Sequence, residues 1–490
     1  MRGVVAAGHP VTAEAGAQVL RTGGNAVDAA LAAMLASFVA EPLLTGLGAG
    51  GYMLVAEPGE EPVLLDFFVE APGRGGDERE RAPLLPVDVN FEDAVQAFNV
   101  GAASCGVYGT PAGICEAHRR YGTVSLGDLA APAAALARAG VKVNPQQAYI
   151  AALLEPITAT TPESRAKFWA GGRAAQEGDR IADPDLADAL ERLGAEGDAP
   201  FYTGDVAAAV CERMAALGGA VGPEDLEAYR AVPREPVRVG YRGREVLTNP
   251  PPSAGGILIA YVLALLEREP GPPNLQRLVA AMQEAHLQRT PAFVEGLARP
   301  GFLEEFMASR LGSTTHISVL DGDGWACSVT CTNGEGSGIV VPGTGMHLNN
   351  MMGEQDLSPL GFFTHPPGRR LPSMMAPTLV RREGEVELVL GSAGSNRIRS
   401  AILQVIVGVL DRGLGLEAAV QAPRAHWEDG VVYAEPGVEL GALASHGRTL
   451  ASFRALNVFF GGVQAVGRDP ATGSLTGAGD PRRGGAAVIA

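Results

Sequence analysis

The segment GSTTHISVLDGDGWACSVTCT, residues 312–332, constrains the fold more than any other part of the chain. Period-two alternation puts Thr314, His316, Ser318 and Leu320 on one face and Thr315, Ile317 and Val319 on the other. Asp321-Gly322-Asp323-Gly324 supplies the turn, so a β-hairpin with one half-polar face follows. Strand propensity by itself accounts for the threonines. It does not account for a strand that begins abruptly with Thr-Thr-His in mid-chain.

With 490 residues, 46% of them apolar, the chain can bury one large core or two to three smaller ones. A formal charge of -17 and no basic run disfavour a nucleic-acid partner. The five cysteines are odd in number, scattered and without a CxxC, which suits a reducing compartment and offers no zinc site. None of the eight histidines falls in an HExxH or HxxxH pair, so no catalytic metal is expected, and no other cofactor. The N-terminus lacks a continuous apolar h-region before its first Gly and Pro, and the weakly polar run from Ala29 to Ala40 is too short to span a bilayer. These features predict no membrane partner. They place the chain as written in the cytoplasm, or in the periplasm or outside the cell if an N-terminal signal has been removed.

Asn25 can cap a helix in which Asp28 occupies the positive first turn and Val27, Leu31, Met34, Leu35 and Phe38 follow at helical spacing; Glu41-Pro42 closes it. The next stretch, GLGAGGYMLV, contains GxGxxG, but a helix precedes the glycines and a strand follows. A dinucleotide site needs the reverse order, so close packing of a buried strand is the better reading. From Pro111 to about Gly222 the pattern is mainly helical. Strands are expected around Val237 to Leu247, at Trp325 to Thr332, Gly338 to Pro342 and Val386 to Leu390, with helices at Ile257 to Leu266 and Ser400 to Asp411. Residues 296–313 form a weakly patterned connection. An α/β or α+β layered body follows, with no linker long enough to divide it.

Nine blocks, in order, resemble the γ-glutamyltransferase (glutathione hydrolase) family of N-terminal nucleophile hydrolases. They are GGNAVDAALAAMLASFVAEP, GLGAGGYMLV, GTPAGICEAHRRYGTVSLGDLAAPAAALARAG, DLEAYRAVPREPVRVGYRGREVLTNPPPSAGG, STTHISVLDGDG, GSGIVVPGTGMHLNN, LPSMMAPTLV, GSAGSNRI and GDPRRGGAAV. The resemblance implies a four-layer αββα sandwich and a precursor that cuts itself between Ser313 and Thr314. Residues 1–313 would become a large subunit and 314–490 a small catalytic subunit, interwoven in one domain. It also implies that Thr314 is the nucleophile. A threonine hydroxyl is a poor nucleophile, whereas an α-amino group on the same residue, with pKa about 7.7 to 8.0, can serve as its base. Thr332 would position that nucleophile, and the backbone N–H groups of Gly394 and Ser395 would hold the oxyanion, the lesser alternative for these two residues being an ordinary turn.

The acyl-binding residues depart from the family pattern. Asp-Phe-Arg-Glu-x-Ala-Pro appears as Asp66-Phe67-Phe68-Val69-Glu70-Ala71-Pro72, so Phe68 replaces the arginine that would clamp a glutamyl α-carboxylate. Met351 replaces a polar residue, Glu354 stands in for an aspartate, and Ser373 is kept while its serine neighbour is Met374. The loop after Thr332 is two residues short, so the family's substrate-binding asparagine maps onto Asn333 by an imperfect match. Arg74, Arg369 and Arg370 could compensate for Phe68, or could be surface charge. The reading is an autoprocessing amidohydrolase or transpeptidase that cleaves γ-glutamyl amides such as glutathione and passes the acyl group to water or an amine. Alternatives are an acylase of the same fold for less polar, glutaryl-type amides, and a non-catalytic scaffold.

Overall fold

The computed structural model describes residues 2–76, 81–90, 95–287, 297, 315–358, 361–394, 397–444, 447–469 and 472–490. Two sheets of this structure carry thirteen strands, in chain order β1 (Gly3–Ala7), β2 (Gly50–Ala56), β3 (Val63–Phe67), β4 (Val232–Arg234), β5 (Val237–Tyr241), β6 (Arg244–Thr248), β7 (Thr315–Asp321), β8 (Ala326–Thr332), β9 (Thr378–Arg382), β10 (Glu385–Ala393), β11 (Gly462–Arg468), β12 (Leu475–Ala478) and β13 (Ala486–Ile489). The first sheet runs β4-β3-β2-β8-β7-β1-β13 and the second β5-β6-β9-β10-β11-β12. The first therefore draws strands from both sides of the Ser313–Thr314 bond. The hairpin forms in the expected register, with Thr315 opposite Cys331 and Ile317 opposite Val329.

Helices cover both outer faces. Against the first sheet lie α1 (Pro10–Thr22), α2 (Ala26–Ala40), α3 (Thr110–Tyr121), α4 (Leu126–Ala139) and α5 (Pro184–Glu196). Against the second lie α6 (Gly255–Glu267) and α7 (Ile398–Leu410). A third apolar cluster, including Val4, Leu54, Leu247, Leu320, Leu379, Val389 and Val466, fills the space between the sheets. This is the αββα sandwich, and its polar pleats follow the alternation of β7. Ile317 and Val319 enter the helix-side core, while His316 and Ser318 turn inward between the sheets.

All fifteen residues of α2 are buried, so an amphipathic stripe is not what places it. Its ends do. The Asn25 carboxamide accepts from the N–H groups of Val27 and Asp28, and Asp28 returns a bond to the Asn25 N–H in a capping box. The same carboxylate accepts from the Thr123 and Val124 N–H groups, so one buried acid caps a helix and ties down the loop before α4. The glycines after α2 pack closely, as expected. A Cβ at Gly48 would collide with the His347 carbonyl, and one at Gly51 with that of Thr330. Where Gly338 to Pro342 was expected as a strand, only Val340–Val341 is regular, paired with Met346–His347.

Between the sheets the His316 ring bonds the hydroxyls of Thr330 and Ser318, each at 2.9 Å. Ser318 donates onward to the Gln464 carbonyl at 3.0 Å, stitching the two sheets together. Burial pushes the His316 pKa down to about 3, so the imidazole is neutral.

Candidate active site

The first described residue of β7, Thr315, and the last residue of β8, Thr332, lie at the same end of the first sheet, and from the second sheet Leu390 and Gly391 of β10 meet Ser328 and His316. Thr314, Ser313 and Ser395 lie outside the described residues. What surrounds them is described. The Thr332 hydroxyl accepts from the Gly334 N–H at 2.7 Å. Gly394 follows β10 with φ +117, a conformation that favours glycine, and its carbonyl accepts from the Arg397 N–H at 3.2 Å.

Asn333 sits directly after β8. Its backbone is fixed by an N–H bond to the Leu44 carbonyl and a bond accepted from the Asn350 N–H. Its carboxamide is wholly buried, yet neither its oxygen nor its nitrogen has a partner among the described residues. Glu354 reaches the same place: a Cβ at Gly334 would overlap both Glu354 Oε1 and Asn350 Oδ1. The neighbouring asparagines are occupied. Asn350 accepts from the Glu335 N–H, and Asn349 clamps Gly106 and Gly48. Asn333 and Glu354 are thus brought together near Thr332, with the Asn333 amide left unused.

Phe68 and Met351 share the interlayer apolar cluster with Tyr52, Met352, Leu371 and Met375. The Phe68 ring stacks on Tyr52 at 5.5 Å, and the Tyr52 hydroxyl is buried without a partner. Met374 points the other way, into the core beneath α6, so it does not line one pocket with Phe68 and Met351. Ser373 is buried beside it; its hydroxyl accepts from the Met375 N–H and its carbonyl receives Ser253.

The three arginines near Phe68 differ in exposure. Arg370 is buried, not a surface charge. Its guanidinium donates to the Phe68 carbonyl, the Tyr229 hydroxyl and the Arg230 carbonyl, and lies 3.4 Å from Asp66 and 3.6 Å from Glu70. Arg74 is half-buried and paired with Glu70 at 2.8 Å. Arg369 is partly exposed. A guanidinium offers five donor N–H groups. Those of Arg370 are committed to the protein, so it is no stand-in for the missing clamp.

Sequence reasoning overlooked Glu41. It is wholly buried at the C-terminus of α2, where its Oε1 accepts from the Thr12 hydroxyl at 2.9 Å and its Oε2 from the Thr315 hydroxyl at 3.4 Å. Burial pushes its carboxyl pKa up to about 7, against the lowering effects of both hydroxyls and Arg483. The clue was available, because a carboxylate is disfavoured at the negative end of a helix dipole.

The family model for gamma-glutamyltranspeptidase matches residues 12–296 and 302–490. The chain is 34% identical to the acylase ACY 1 proenzyme of Pseudomonas sp. (strain SE83), over 97% of its own length and 91% of that protein. It is 32% identical to the glutathione hydrolase proenzyme of Escherichia coli (strain K12), over 98% and 90%. Its structure resembles that of cephalosporin acylase from Bacillus halodurans with a TM-score of 0.85, at 27% identity and covering 99% and 95% of the two chains.

Proposed function

This chain belongs to the gamma-glutamyltranspeptidase family, and from that premise we propose that it cuts itself between Ser313 and Thr314 and cleaves γ-glutamyl amides through an ester on Thr314. Residues 1–313 and 314–490 then form the two interwoven subunits. The Thr314 hydroxyl adds to the substrate carbonyl as its proton passes to the α-amino group. The backbone N–H groups of Gly394 and Ser395 hold the oxyanion, and the Thr332 hydroxyl positions the nucleophile. The tetrahedral intermediate collapses, the C–N bond breaks, and the amine leaves with that proton. Water or an acceptor amine attacks the ester next and frees Thr314.

The observation that carries this reading is the Asn333 carboxamide, fully buried with both ends unpartnered among the described residues, one residue before the Gly334 position that Glu354 approaches. Such a group costs stability unless something bonds it, and a substrate with an amine and a carboxylate offers both complements. Glu354 suits the α-amine, Asn333 the α-carboxylate, and Ser373 lies on the neighbouring segment. The five unbridged cysteines fit a reducing compartment such as the cytoplasm. No helix among the described residues is long and apolar enough to cross a membrane.

A second reading, hydrolysis of less polar acyl amides, is favoured by the stacked Phe68–Tyr52 pair and by the engagement of Arg370. Rates on a γ-glutamyl anilide and a glutaryl anilide decide between them, because glutaryl lacks the α-amine. The first reading requires at least a tenfold preference for γ-glutamyl. Equal rates, or a glutaryl preference, reject it in favour of the second.

A further inference from the structure

Strand β1 stops at Ala7, its last residue paired with Ile317 of β7. The leading residues of β7 therefore have no β1 partner on that side. The chain bends away at Gly8, whose lack of a Cβ leaves room for the Glu41 carboxylate. Two hydroxyl donors, from Thr12 and Thr315, are its only side-chain partners among the described residues. A buried carboxylate normally has a cation beside it, since desolvation costs more than two neutral hydrogen bonds return. Among the described residues Glu41 has none in contact. Arg483 acts on it through its field; its side chain lies across Gly462 and reaches toward Gly394, and its Nε has no partner among the described residues.

We propose that Glu41 is a positioning residue, the counter-charge for the α-ammonium group that self-cleavage creates on Thr314. The inference rests on the cleavage reading above. Thr315, held by Glu41, is covalently bonded to Thr314, so the missing cation would arise one residue away. Before cutting, the Thr314 nitrogen is a neutral amide. Afterwards it can carry a proton, and the buried carboxylate gains its pair.

The groups facing Glu41 set the sign of the pH effect. From α1 come Thr12 and the capping residue His9, whose pKa burial lowers to about 4, so it is neutral. From β7 comes Thr315. From the segment after Asp480 comes Arg483, its pKa pulled to about 10 by desolvation, with Glu335, Asp480 and Arg397 around it. A carboxylate near an ammonium group raises the pKa of that group, and a guanidinium lowers it. In Glu41→Gln the Thr314 amine loses protons more readily and becomes a competent base at lower pH.

The test is the acid limb of kcat/KM on the cleaved enzyme, measured with whichever anilide the wild type prefers. Glu41→Gln moves the limb down by about one pH unit, Glu41→Asp restores most of the wild-type value, and Arg483→Gln moves it up. A Glu41→Gln limb that stays put or moves up overturns the inference. If that variant does not fold, thermal unfolding of the uncut Thr314→Ala chain decides. Without the ammonium group the charging of Glu41 is uncompensated, so Tm falls between pH 5 and 7, and it does not fall in the cleaved wild type. Parallel Tm profiles for the two overturn the inference. A wild type that never cuts defeats the cleavage reading instead, which is a separate result.

Discussion

The two ends of the candidate site are built on opposite principles. Around Phe68 the polar groups of the Arg370 network have partners, the Tyr52 hydroxyl excepted: Arg370 meets two carbonyls, a hydroxyl and two carboxylates, Tyr229 bonds the Phe68 carbonyl, and Arg234 and Arg370 both meet Asp66. Around Thr332 several polar groups are left open among the described residues. Among the described residues, Asn333 has two unused amide atoms, Arg483 an unused Nε, and Glu41 a carboxylate whose side-chain partners are two hydroxyls. A closed network gives rigidity, and an open one stores unmet hydrogen bonds for a ligand or for a charge made later. In the proposed function Phe68 is a wall of the acyl pocket and the end of β8 is its working surface.

The largest effect that would break the contrast lies in the closed end. Arg370→Met leaves Asp66 to Arg234 and Glu70 to Arg74 and takes a donor from the Phe68 carbonyl and the Tyr229 hydroxyl; breaking a buried charge network costs up to about 3–5 kcal/mol. Chemical denaturation should show that loss; a loss below about 1 kcal/mol would mean that the network does not hold the wall. Asn333→Ala sharpens the contrast from the other side. Its side chain makes no protein hydrogen bond, so stability should change by less than about 1 kcal/mol. If its amide bonds a charged substrate group, kcat/KM should fall roughly ten- to a hundredfold. Lost stability with unchanged kinetics would make Asn333 structural.

A further effect concerns two buried histidines, His316 between the sheets and His347 against Gly336. Burial lowers the pKa of His316 and of His347 to about 3. A base whose folded pKa lies below its unfolded value of 6.5 contributes stability that is present above pH 6.5 and lost as pH falls toward 3. Each group costs about 1.4 kcal/mol per pH unit in that window. His347→Gln should remove one proton from the pH dependence of unfolding there, as calorimetry from pH 7 to pH 4 would show. An unchanged slope would mean that His347 already titrates normally.

Much of the scaffold was legible in single residues. Asn25 and Asp28 announced the start of α2, the alternation of β7 gave both of its faces, and the order of helix, glycines and strand excluded a dinucleotide loop. Local chemistry decides each of these. The turn between β5 and β6, with Arg242 and Gly243 at positive φ, was likewise implicit in the strand pair expected there. What stayed hidden depends on partners distant in sequence. Arg370 looked like surface charge because Asp66 and Tyr229, which enclose it, lie some three hundred and one hundred and forty residues away. Met374 could not be assigned to α6 rather than to the Phe68 cluster, because a loop residue has no period to reveal its face. Glu41 read as a helix terminator; its meaning depends on where β1 ends, which only the assembled sheet determines.

The central claim is that the hairpin beginning at Thr314-Thr315-His316 starts where it does because the chain must be cut there. Mass measurement of the purified protein under denaturing conditions tests it directly. The account predicts two polypeptides, residues 1–313 and 314–490, with threonine at the N-terminus of the smaller, and a single intact chain for Thr314→Ala. A wild-type chain that stays whole and still hydrolyses an acyl anilide as fast as Thr314→Ala would contradict it.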